Sequence, residues 1–126
     1  MAHHALFVCT SCAFSATQRE HLGYRGGYHL CQQLQQLQQQ GHLPPDFTLE
    51  AVECLSACHR FCAIALAAPQ KTTLMFGDLP PLESAGAIAK LAIQYAASPN
   101  GLVPRQLRPE PLQKGILARI PPWPQP

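Results

Sequence analysis

The stretch VECLSACHRFCAIALAAPQKTTLMFGDL, residues 52–79, joins three cysteines to two runs of strand-forming residues. CAIALAAP (62–69) and TTLMFGDL (72–79) are short apolar runs rich in residues that fit a pleated sheet, and the tight APQK turn between them predicts a hairpin. Just upstream, FTLEAVEC (47–54) alternates in character and predicts a half-buried strand. Just downstream, PLESAGAIAKLAIQYAAS (81–98) predicts a helix, with Pro81 near its start, Glu83 in its first turn and Ile88, Leu91, Ala92 and Tyr95 on its buried face.

Nearer the N-terminus, HALFVC (4–9) reads as a buried strand, and the polar, glycine-bearing segment from Thr10 to Gly27 reads mostly as loop. In YHLCQQLQQLQQQ, Leu30, Leu34 and Leu37 fall at helical spacing, with Gly41 as a stop. The glutamines are a solvated face of that helix, and Cys31 beside the leucine stripe is a buried structural cysteine. The order β-α-β-β-α predicts an α/β fold in which a mixed sheet of about four strands is covered by two helices, thioredoxin-like in outline.

Residues 1–97 form the predicted domain. Residues 98–126 hold eight of the thirteen prolines and read as an extended C-terminal tail, at most partly helical around Gln113 to Arg119. Its Leu102, Val103, Ile116, Leu117, Ile120 and Trp123 argue against a wholly disordered segment: they wrap the domain or dock a partner.

Composition removes several function classes. Charged residues make up 13% of the 126 and the net charge is +2, with no basic run to support nucleic-acid binding. No apolar run approaches the roughly 18 residues of a membrane span, and MAHHALFV lacks the parts of a secretory signal. A cytoplasmic location is expected, and there disulfides are rare. No phosphate-cradling loop or nucleophile elbow occurs: GYRGG (23–27) lacks the lysine and the following Ser/Thr. With only seven carboxylates, paired acid–base chemistry has little to build on, so an enzyme is not expected.

The chemistry therefore rests on cysteine. Five of the six lie in two short runs: Cys9 and Cys12 in LFVCTSC, and Cys54, Cys58 and Cys62 in the stretch quoted first. Two adjacent strand ends of one sheet can bring the two runs to a common edge. Four thiolates suit structural zinc, although neither run has the glycine turn common in zinc knuckles. A C-x-x-C after a strand suits a dithiol oxidoreductase using Cys9 and Cys12, which leaves the second run without a task. One pair from each run also suits the two irons of a [2Fe–2S] cluster, though not with plant-type or bacterial-run spacing.

VECLSACHRFCAIALAAPQKTTLMFGDLPPLESAGAIAKLAIQY resembles the C-terminal half of the thioredoxin-like [2Fe–2S] ferredoxins, and LFVCTSC resembles their first strand with its ligand cysteine. The whole chain, through SPNGLVPRQLRPEPLQKGILARIPP, is similar to a family of small bacterial proteins of the DUF1636 type, described as predicted metal-binding. The resemblance implies a [2Fe–2S] cluster on Cys9, Cys54 and Cys58, with Cys12 taking the place of a ligand that lies further along the loop in the ferredoxins. Cys62 stands where those ferredoxins tend to have proline; it reads as a core residue, and as the substitute ligand if Cys12 cannot reach. His59 and Arg60 are expected exposed beside the cluster, where a cation raises its potential.

The implied function is one-electron transfer or redox sensing with a protein partner, with residues 98–126 as the partner-specific element. Dimers are common among the resembling ferredoxins, so a homodimer is the implied oligomer. The alternatives are zinc or cobalt binding for storage, delivery or regulation, and a Cys9–Cys12 dithiol reductase.

Overall fold

A computed structural model describes residues 3–123. Its centre is a sheet of five strands, β1 (His4–Cys9), β4 (Phe47–Val52), β5 (Ile64–Ala67), β6 (Thr73–Phe76) and β7 (Ile116–Ile120), in the order β4-β1-β5-β6-β7. β1 (His4–Cys9) pairs in parallel with β4 (Phe47–Val52), so that Cys9 lies opposite Val52. β5 (Ile64–Ala67) runs antiparallel to β1, and β6 (Thr73–Phe76) returns beside β5 as the predicted hairpin. Strand periodicity sends His4, Leu6 and Val8 to one face together with Phe47, Ile64, Leu66, Leu74 and Phe76.

That face is the core. α1 (Gly26–Gln39) contributes Leu30 and Leu34, and α2 (Ala85–Ala97) contributes Ile88, Leu91, Ala92 and Tyr95, all fully buried. Burying each large aliphatic side chain of this set contributes about 2 kcal/mol. Cys31 is buried in the same cluster, as expected of a structural cysteine. α1 ends at Gln39, and Gly41 just beyond its cap has a φ of +82°, a conformation that glycine adopts without strain. α2 begins at Ala85, so Pro81 and Glu83 belong to the turn before it, where Ser84 Oγ donates to the Pro80 carbonyl at 2.7 Å.

Two strands were not anticipated in the loop after β1: β2 (Glu20–His21) and β3 (Tyr24–Arg25), two residues each, form a small antiparallel ladder of their own. The larger correction lies after α2. The stretch expected to be at most partly helical around Gln113 to Arg119 contains β7 (Ile116–Ile120), a fifth strand antiparallel to β6. Gly115, at φ +78°, turns the chain into it.

Two short 3-10 turns, Arg105–Leu107 and Glu110–Leu112, carry the chain from α2 to β7, and Val103 and Leu112 enter the core on the way. The segment therefore wraps its own domain. It covers β6, which would otherwise be an open edge. Among the described residues no helix is long and apolar enough to cross a membrane.

Candidate metal site

The parallel pairing of β1 and β4 places the ends of both strands at one edge of the sheet, and both cysteine runs with them. Cys9 closes β1, and Cys54 and Cys58 lie in the loop that follows β4. Their three sulfurs lie within 4.8 Å of one another. The Sγ atoms of Cys54 and Cys58 are 3.6 Å apart, close to the separation of about 3.8 Å that two thiolates take on one tetrahedral ion at 2.3 Å. Cys9 is fully buried and the other two are exposed, so the group opens to solvent from one side.

Local backbone geometry supports the group. Ser56 adopts a φ of +59°, which turns its N–H onto Cys54 Sγ at 3.2 Å. That N–H, together with the Cys58 thiol, holds Cys54 below the ordinary thiol range, whereas the hydrogen bond with Cys54 pushes Cys58 up. Such a pair loses its first proton readily, as a ligand set must before it binds a metal. Ser11 Oγ stands 3.6 Å from Cys9 Sγ and 3.9 Å from Cys58 Sγ, an oxygen at the rim of the sulfur group. Arg25 at the end of β3 donates to the Ser11 carbonyl at 3.0 Å and ties the small ladder to this loop.

Cys12 is placed differently from the other three expected ligands. It lies outside the group of three and is fully buried, where the thiols of Cys62 and Cys9 act on its own. The contact with Cys62, then burial, raises its pKa well above the ordinary value. Cys62, two positions before β5, is itself fully buried among core residues, with its thiol directed to the Ala13 carbonyl at 3.6 Å. Three sulfurs thus gather at the sheet edge, while those of Cys12 and Cys62 are fully buried.

Arg60 is not a free cation beside the sulfurs. Its guanidinium grips Asp78, with Nε 2.8 Å from Oδ1, and the arginine in turn holds the Asp78 carboxyl below its usual range. His59 is exposed. Ser11, Ser56 and Arg25 are the supporting residues that spacing did not reveal. The one sequence signal for them was that both serines sit inside the cysteine runs.

Three convergent thiols fit a thiophilic metal centre, and this group can hold one. Among solved structures the chain is similar to a thioredoxin-like [2Fe–2S] ferredoxin from Aquifex aeolicus, with a TM-score of 0.57 and 14% identity. The likeness covers 93% of this chain and 92% of that one, and shows that the fold is thioredoxin-like. No curated protein matches the chain. The profile of the family described as "Protein of unknown function (DUF1636)" matches residues 6–122. With nearly its full length matched, this cysteine-bearing chain belongs to the DUF1636 family.

Proposed function

We propose that the chain carries a [2Fe–2S] cluster and exchanges single electrons, as carrier or redox sensor, with a protein partner. The observation that carries this reading is the convergence of Cys9, Cys54 and Cys58, drawn from both cysteine runs, in a thioredoxin-like fold. The fourth thiolate falls to Cys12, whose thiol adjoins that of Cys9. When bound, such a cluster supplies a one-electron couple whose potential depends on hydrogen bonds to its sulfurs and on exposure.

The protein's own residues would then do three things. Cys9, anchored at the end of β1, fixes the site to the rigid sheet. The Ser56 N–H and the Ser11 hydroxyl offset negative charge on the thiolates. The exposure of Cys54 and Cys58 lets a partner come close, so the partner approaches at this sheet edge.

A second reading has its own observation. Three sulfurs within 4.8 Å with Cys12 turned inward also suit a single zinc or cobalt ion bound by three thiolates. The dithiol reading is weaker, because Cys9 and Cys12 are both fully buried and thiol exchange needs an accessible thiolate.

The deciding measurement is a visible spectrum of protein purified without oxygen, with iron, sulfide and zinc assayed on the same sample. A red-brown protein that bleaches with dithionite and holds about two irons and two sulfides per chain supports the proposal. Colourless protein with one zinc overturns it in favour of the single-ion reading.

A further inference from the structure

Away from the cysteines, three arginines meet at a cavity of about 550 Å³. Arg105 and Arg108 come from the segment between α2 and β7, and Arg119 from β7, where it lies opposite Leu74. β5 and β6 separate this strand from β1, so the cavity is distinct from the sulfur site.

Arg108 is the unusual member. Only 8% of it is exposed. Its guanidinium lies over the Phe76 ring, 5.5 Å from the centroid, and donates to the carbonyls of Val103 at 3.4 Å and Gln113 at 3.2 Å. Its Nε has no hydrogen-bond partner. Among the described residues the carboxylates of Asp46 and Asp78 are engaged by His4 and Arg60, and no carboxylate answers any of the three arginines. Burial first, and then the charges of Arg105 and Arg119, make it harder for Arg108 to stay protonated. A buried cation held among like charges without a counterion is costly, and its retention points to a charge supplied from outside.

We propose that this cavity binds a small organic phosphate. Planar guanidinium forks match phosphate oxygens bidentately, and three of them answer a doubly charged group better than a single carboxylate. The walls beside the arginines are apolar, from Leu102, Val103 and Ile116, and would take the organic body of the ligand. The cavity falls within the range of small-molecule sites. This inference does not depend on which metal the cysteines hold.

The test is calorimetric titration of the full chain at low salt, in a buffer free of phosphate, with phenyl phosphate, inorganic phosphate and benzoate as probes. Saturable one-to-one binding of phenyl phosphate is expected, with inorganic phosphate weaker and benzoate at least tenfold weaker. Arg105 and Arg119 are exposed, so the double variant Arg105→Gln/Arg119→Gln should keep the unliganded melting midpoint and lose at least tenfold in phenyl phosphate affinity. No saturable phosphate binding below about 10 mM overturns the site. Unchanged affinity in the double variant also overturns it, and benzoate binding as tightly as phenyl phosphate overturns the phosphate assignment.

Discussion

Lys71 Nζ sits 2.8 Å from Nε2 of His4, across 67 positions of chain, and His4 Nδ1 lies 2.8 Å from Asp46 Oδ2. An ammonium group only donates, so Nε2 of His4 is the acceptor and Nδ1 carries the hydrogen toward Asp46. The same ammonium donates to the carbonyls of Tyr95 and Ala96, near the C-terminal end of α2. One buried cation thus closes the last turn of a helix and fastens the first strand. Lys71→Met leaves these acceptors unanswered and should cost about 3 kcal/mol in urea unfolding, with the slope unchanged. A variant as stable as the parent would show the network to be dispensable.

Cys12 separates the two metal readings. Cys54→Ala and Cys58→Ala should each abolish metal binding under either, and Cys31→Ala, buried in the core and away from the group of three, should leave the metal content unchanged. Cys12→Ala should bleach a four-thiolate cluster but spare a three-thiolate ion. Metal per chain, read by atomic emission after desalting, distinguishes these outcomes.

Two glycines in helices should respond to the same substitution with opposite sign. A Cβ on Gly27 would collide with the carbonyl oxygen of Cys9, the last residue of β1. Gly27→Ala should therefore destabilise the protein by about 3 kcal/mol and lower its metal content, since Cys9 must shift. On Gly86, near the start of α2, a Cβ meets nothing within 4 Å. Gly86→Ala should stabilise by about 0.5–1 kcal/mol in the same assay.

Tyr95 gives the fold an alkaline signature. Its hydroxyl donates to the Thr72 carbonyl at 2.7 Å, and burial pushes its pKa up to about 12. A group whose pKa is higher in the folded state contributes stability that is complete below the unfolded value and is lost as pH rises. The stability difference between the parent and Tyr95→Phe should therefore shrink by roughly 2 kcal/mol between about pH 10 and pH 12. Denaturant midpoints of the two proteins across that window check it; a constant difference would refute it.

The helices and the central hairpin were legible because their signals are local. Leu30 and Leu34 recur at helical spacing, and the runs around Ile64 and Leu74 are short, apolar and separated by a turn. β7 was obscured by composition: eight prolines after Ser98 suggest an extended tail, although ILARI between Gly115 and Pro121 has the length and branched residues of a strand. β2 and β3 are too short to leave a periodic trace. At the sulfur site, spacing marked both runs but could not say which way Cys12 turns. A C-x-x-C pair fixes the distance along the chain, whereas the direction of each side chain depends on the loop that Gly26 and Gly27 press against, at Ala13 and Cys9.

The parallel register of β1 and β4 also constrains how the protein can acquire a metal. Parallel strands cannot be joined by a tight turn; here α1 and its flanking loops lie between β1 and β4, and that whole crossover separates Cys9 from Cys54 along the chain. Contacts of this sequence separation form slowly, because chain closure must precede the interactions that reward it. A nascent or unfolded chain can offer a metal only neighbouring thiols, such as Cys54 with Cys58, and the full set exists only once the sheet has closed. If the cysteines hold a metal as proposed, loading would be coupled to completion of the fold, and a chain stalled short of it would hold an ion weakly and give it up.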